Sequence, residues 1–155
     1  MRLHQLNRDS HEIPAVLRLV QDAFAFMESR IDPPSSMHRM SAASIAEHCE
    51  RGEVWVFDDP PVACVFFSER DERLYIGKMA VSEDMRGRGL ARRFIELAQE
   101  RAALRGFSTL ELESRIELSE VHAFFRHQGF EKTGEGTHAG YDRPTYITMR
   151  RECSD

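Results

Sequence analysis

From Leu74 to Val81 the chain is apolar on both alternating faces, broken only at Gly77 and Lys78, which predicts a central strand packed on both sides. A helix is expected directly after it. Leu90, Phe94, Leu97, Ala98 and Leu104 recur near a 3.6-residue spacing, with Arg92, Arg93, Glu96, Glu100 and Arg101 outside that stripe and Gly106 as the stop. Ser108 to Glu113 then alternates as a strand, Leu110 and Leu112 facing one way and Thr109, Glu111 and Glu113 the other. A strand, helix, strand unit of this kind places its two strands parallel through a right-handed crossover.

The flanks follow the same two periods. Arg2 to Leu6 reads as a short first strand. Asp9 or Ser10 is the expected cap of a helix that tolerates Pro14 in its first turn and carries a stripe of Val16, Leu17, Val20, Ala23, Phe24 and Met27. Ile31 to Ser36 is a loop, Ser41 caps a second helix running to about Arg51, and Gly52 ends it. Val54 to Phe57 and Val62 to Ser68 form a hairpin around Asp58-Asp59-Pro60-Pro61, and Glu69 to Arg73 leads into the central strand. Ser119 to Gln128 is a helix with Val121, Phe124 and Phe125 on one side, stopped at Gly129. Strands from Phe130 and from Thr145 to Arg150 flank a loop over Glu135 to Pro144. The order β-α-α-β-β-β-α-β-α-β-β defines an α+β fold, a central mixed β-sheet flanked by helices. At 155 residues, positions 1–155 are expected to form a single domain, since the length suffices for one core and not for two of ordinary size.

Composition narrows the setting. With 41% hydrophobic and 30% charged residues the chain has the balance of a soluble globular protein, and no apolar run approaches the roughly 18 residues of a membrane span. Its N-terminus lacks the apolar stretch of a signal peptide, so a cytoplasmic location without membrane partners is expected. Three cysteines without paired spacing indicate neither a disulfide framework nor a metal site, and the adjacent His48 and Cys49 point in different directions on a helix. A net charge of −5 argues against a broad nucleic-acid surface and is compatible with a cationic substrate.

The chemistry concentrates between the central strand and its helix, at Met85-Arg86-Gly87-Arg88-Gly89-Leu90-Ala91. The first N–H groups of that helix have no partner within it and point at the turn, where the positive end of the helix dipole lies. Gly87 and Gly89 permit positive φ and close approach of a phosphate, Ala91 keeps the first turn slim, and Arg86, Arg88, Arg92 and Arg93 suit a ligand with several phosphates. A nucleotide-binding βαβ unit shares part of this pattern, with Glu111 or Glu113 about 20 residues on as a ribose-binding acid. Arg92 stands where its third glycine is wanted, and there is no Gly-Lys-Ser/Thr.

Arg86-Gly87-Arg88-Gly89-Leu90-Ala91 resembles the pyrophosphate motif of the GNAT superfamily of N-acetyltransferases, and Phe124-Phe125-Arg126-His127-Gln128-Gly129-Phe130 resembles its later helix ending in Gly-Phe. The element order fits over nearly the whole chain. The resemblance implies acetyl-CoA as co-substrate and transfer of its acetyl group to a primary amine of a small molecule or peptide. It implies that Met79, Ala80 and Val81 pair with the pantetheine arm, with Met79 or Val81 N–H as oxyanion donor, and that Arg86 to Arg92 hold the pyrophosphate. Amine attack on a thioester needs a proton acceptor, an oxyanion donor and, usefully, an acid for the thiolate. By position Glu113 is the implied base, with Glu111 in reserve. The family's frequent tyrosine is Phe125 here, implying apolar contact with the coenzyme arm, and the asparagine seven residues before it is Leu118. The thiolate then leaves without a dedicated acid, or His122, Tyr141 or Tyr146 serves. A binding or sensor protein that keeps the coenzyme site and has lost catalysis is the alternative these two departures motivate. Phe24 to Ser36 and Thr137 to Pro144, with Glu28, Arg30, Asp32, His138, Tyr141 and Asp142, are left to cover the acceptor side, and a homodimer through an edge strand or the late loop is compatible with such a fold.

Overall fold

The computed structural model describes residues 1–25, 27–34 and 39–153. Its elements are β1 (Leu3–Gln5), α1 (Ile13–Ala25), α2 (Ala42–Arg51), β2 (Glu53–Phe57), β3 (Ala63–Arg70), β4 (Arg73–Val81), α3 (Leu90–Arg105), β5 (Thr109–Arg115), α4 (Ser119–His127), β6 (Glu131–Gly136) and β7 (Tyr146–Glu152), with a 3-10 turn at Glu83–Met85. The order is the expected one. Seven strands form one sheet in the order β1-β2-β3-β4-β5-β7-β6, antiparallel throughout except for β4 and β5. With one parallel pair, the described residues hold no second parallel βα unit to build a dinucleotide-binding sheet, so the nucleotide-binding alternative does not match the fold. Among the described residues no helix is long and apolar enough to cross a membrane.

Helices cover both faces. Phe94, Ile95, Ala98 and Ala102 of α3 and Phe125 of α4 pack with Leu74, Ile76, Leu110 and Leu112 on one side, while Val16 and Val20 of α1 and Ile45 of α2 pack with Val54, Val56, Cys64 and Phe66 on the other. Phe94 is fully buried, its ring 5.0 Å from that of Phe57. Burying one such side chain contributes roughly 1.5–3 kcal/mol and fastens α3 to the sheet.

Two local expectations are corrected. Leu104 is 75% exposed: the buried arc of α3 runs through Phe94, Ile95, Ala98 and Ala102 and leaves Leu104 past its margin. Ser10 does not cap α1, because its hydroxyl accepts the Asn7 N–H at 2.9 Å, and the helix opens two residues later with Val16 N–H donating to the Glu12 carbonyl at 3.0 Å. Gly52 ends α2 as expected, at φ −135°; its lack of a side chain is what lets the strand pass, since a Cβ would lie 2.3 Å from the Phe67 carbonyl oxygen. Ser41 does cap α2, reciprocally with Ser44. Of the loop expected over Ile31 to Ser36, Ser35 and Ser36 lie outside the described residues.

Candidate active site

The site is a gap in the middle of the sheet, produced by one bulge. β3 pairs with β4 as Val65↔Met79 and Phe67↔Ile76, so Gly77 and Lys78 together oppose Phe66. An extra residue on one strand bends it and increases its twist. It also switches parity: Leu74 and Ile76 belong to the α3-side core, and past the bulge Met79 and Val81 lean on that same core while Ala80 joins the other. The parallel pairing of β4 with β5 covers Leu74↔Leu110, Tyr75↔Glu111 and Ile76↔Leu112 and ends there. Beyond it β4 stays paired with β3 alone and β5 with β7 alone.

Two rows of backbone groups therefore face each other across the gap. Ser82 N–H donates to the Val62 carbonyl at 2.9 Å, toward β3. Because amide direction alternates along a strand, Ala80 N–H shares that direction and the N–H groups of Met79 and Val81 aim at the gap. On β5, Ile116 N–H donates to the Thr145 carbonyl at 3.0 Å, so the backbone of Arg115 faces the gap by the same rule. A cleft of about 340 Å³ fills this space, walled by Tyr75 to Met79 of β4, Leu112 to Arg115 of β5, and Leu118, Val121 and Phe125 around α4.

At the end of β4 the glycine-arginine turn leads into α3. Gly87 and Gly89 take φ of 77° and 78°, the left-handed region expected of them. Gly89 is the N-cap and supplies no side-chain cap, whereas α2 begins with its amide groups held by Ser41 and Ser44. The first-turn N–H groups of α3 are thus left for a ligand, beside the exposed Arg86, Arg88, Arg92 and Arg93. Leu90 is buried and Ala91 half-buried, so the turn is anchored from below.

The two carboxylates expected on β5 have different surroundings. Glu111 is 4% exposed, accepts from Arg150 Nε at 2.8 Å with Arg73 Nη1 at 3.6 Å, and is outside the cleft wall. Glu113 lines the cleft and accepts from Arg70 Nη1 at 2.8 Å. Arg70 also lies 3.7 Å above the Tyr75 ring. Burial, and then the negative charge of Glu113, push the Tyr75 phenol up to about 12.

His122 is not brought into the cleft wall. It is buried, and its Nε2–H donates to the Arg115 carbonyl at 2.9 Å. That carbonyl faces the gap and has lost its strand partner, so the imidazole satisfies an acceptor orphaned by the splaying of β4 and β5. Tyr141 is also away from the wall: its hydroxyl donates to Asp32 Oδ1 at 2.7 Å, and Arg143 reaches Asp32 Oδ2 at 3.1 Å. These contacts belong to a polar strap next to Met27, Ile31 and His138, which line the cleft. Arg30 pairs with both oxygens of Glu120 at 2.6 and 2.8 Å, and Arg115 donates to the carbonyls of Pro33 and, at 2.9 Å, Pro34. Phe125 does line the cleft, edge-on to Phe130 with centroids 5.4 Å apart.

Sequence reasoning missed Tyr75, Lys78, Arg115 and Arg70. All but Arg70 line the cleft, and burial followed by the charge of Arg115 lowers the Lys78 pKa. Period-two alternation could have put Tyr75 opposite Leu74 and Ile76, and only the register with Glu111 puts it on the face of Glu113. His138 and Tyr146, from the late loop and the start of β7, also border the cleft, their rings edge-on at 5.3 Å.

The splayed parallel pair thus lies next to an uncapped, arginine-flanked helix start. The chain belongs to the acetyltransferase (GNAT) family, whose model matches residues 13–130. Among solved structures it is similar to the PaiA N-acetyltransferase from Thermoplasma acidophilum in complex with coenzyme A, at TM-score 0.80 and 9% identity over 97% of this chain and 98% of that one. The ribosomal-protein-S18-alanine N-acetyltransferase from Escherichia coli superposes at TM-score 0.69 and 20% identity over 99% of this chain and 94% of that one. Ard1 from Thermoplasma volcanium does so at 0.73 and 18%, over 99% and 98%. At these identities the likeness shows the fold. No curated protein matches the chain.

Proposed function

We propose that residues 1–155 form one cytoplasmic N-acetyltransferase domain that transfers the acetyl group of acetyl-CoA to a primary amine. The observation that carries this reading is the gap itself: an opening between β4 and β5 with the Glu113 carboxylate on its wall, continued along Met79 to Val81 into the open N-terminus of α3. The pyrophosphate would take the N–H groups after Gly89, and the pantetheine arm would add to the free edge of Met79 to Val81 as an extra strand does.

Glu113 accepts the proton of the ammonium, directly or through water, and the freed amine attacks the thioester carbonyl. A C–N bond forms, the Met79 or Val81 N–H donates to the oxyanion, and the C–S bond breaks to release the thiolate. Arg70 fixes the orientation of Glu113. Tyr75, with its pKa near 12, is a hydrogen-bond donor and a poor proton source. A thiol has an ordinary pKa of about 8.5, so the thiolate departs without a dedicated acid and takes up, through water, the second proton that the attacking nitrogen loses as the amide forms. Phe125 then serves as an apolar wall for the arm, consistent with its aromatic neighbours.

The test is thiol release from acetyl-CoA over a panel of amino acids, polyamines, aminoglycosides and peptide N-termini, followed by Glu113→Gln on the best acceptor. The substitution is expected to lower kcat by about 10²–10⁴ with coenzyme affinity retained. Coenzyme binding without transfer to any amine would favour the sensor alternative.

A further inference from the structure

A second cavity, of about 410 Å³, adjoins the cleft and shares Tyr75, Gly77 and Lys78 with it. Its charged lining is one-sided: Arg39, Arg70 and Lys78 contribute cations, Ser44, Ser68 and His48 contribute neutral polar groups, and among the described residues no carboxylate borders it. His48 is committed elsewhere, its Nε2 donating to the Phe67 carbonyl at 2.9 Å, and burial lowers its pKa so that it adds an uncharged edge. Arg70 joins the two spaces, since its guanidinium touches Glu113 in one and borders the other.

Resting on the acetyltransferase reading, we infer that the acceptor is an amine carrying its own anionic group, a carboxylate or phosphate a few bonds from the nitrogen, with the amine at Glu113 and the anion in the Arg39–Arg70–Lys78 pocket. The ammonium is attracted to the Glu113 carboxylate on the cleft wall, and its anion to the cations of Arg39, Arg70 and Lys78. Arginine forks match both carboxylate and phosphate, and such charge-assisted bonds are the strong ones. The depressed Lys78 pKa has the same physical origin, a half-buried cation beside the cation of Arg115, and a bound anion offsets both causes. A polyamine or aminoglycoside would instead bring positive charge into this pocket, which like-charge repulsion disfavours.

The test uses matched acceptors on the intact chain: an α-amino acid against its carboxamide, and 2-aminoethyl phosphate against ethanolamine. The anionic member of at least one pair is expected to show a kcat/KM tenfold or more above its neutral partner, and which pair does so separates carboxylate from phosphate. Arg39 is exposed and outside the catalytic wall. Arg39→Ala is expected to raise KM for the anionic acceptor about tenfold while leaving kcat, coenzyme affinity and turnover of the neutral partner unchanged. Preference for neutral or polycationic amines with coenzyme binding intact overturns this inference and leaves the acetyltransferase reading standing. Failure to bind coenzyme overturns both.

Discussion

Replacing Gly89 separates what the turn does for the fold from what it does for a ligand. Gly89 has φ 78°, and a Cβ there meets no protein atom within 4 Å. Gly89→Ala therefore costs only the left-handed backbone, about 1–2 kcal/mol. For a chain of this size that is a Tm decrease of roughly 2–8 °C. Gly89→Glu suffers the same strain, because its side chain also enters open space, but it brings a negative charge to the spot where phosphate is expected. Two unit charges about 5 Å apart at an effective dielectric near 20 repel by about 3 kcal/mol. Coenzyme affinity should thus fall on the order of a hundredfold between the Ala and Glu variants at nearly equal stability. Calorimetric titration with coenzyme A and a thermal melt of each variant read the two quantities separately. Equal coenzyme affinity for the two variants would refute the placement of an anion at this turn.

Two further substitutions probe the frame of the site. His122→Ala leaves the Arg115 carbonyl without its donor and should lower stability by about 1–3 kcal/mol in denaturant unfolding, with the pH dependence of kcat unchanged. A shifted pH profile at undiminished stability would instead put His122 in the chemistry. The strap should be acid-sensitive: the hydrogen bonds from Arg30 hold the Glu120 carboxyl down at about 2. A depressed carboxyl contributes its stabilisation above its unfolded value of about 4.3 and loses it as pH falls from there through 2. Glu120→Gln is accordingly expected to flatten the pH dependence of stability across that window and to leave it unaltered above pH 5; parallel curves would contradict the pairing.

The element order was legible because each element carries its own period, and the turn was legible because two glycines between a strand and a helix have few other uses. The gap was not. Gly77 and Lys78 read as an interruption in an apolar strand, and whether such an interruption bulges depends on the register with β3, which involves residues far away in sequence. For the same reason periodicity alone did not rank Glu111 and Glu113, and only the family resemblance put Glu113 first: they share a face and a chemistry, and differ in that Arg150 and Arg73 close around one while Arg70 leaves the other on the cleft wall. His122 as a proton donor was a reasonable reading of a histidine one turn from Phe125. Its actual partner, a carbonyl freed by two strands moving apart, exists only in the folded sheet. Tyr141 was correctly assigned to the late loop, but its hydroxyl is committed to Asp32, a contact 109 positions apart in sequence.

The central claim is that the gap between β4 and β5 receives the acetyl-bearing arm while the turn before α3 holds the pyrophosphate. Backbone amide resonances of the isotopically labelled protein, followed during titration with acetyl-CoA, test it directly. The account predicts saturable shifts at Met79, Val81 and the amides from Gly89 to Arg92, with Ala80, which faces β3, moving less. Saturable binding that leaves these amides unmoved and shifts another surface would contradict it.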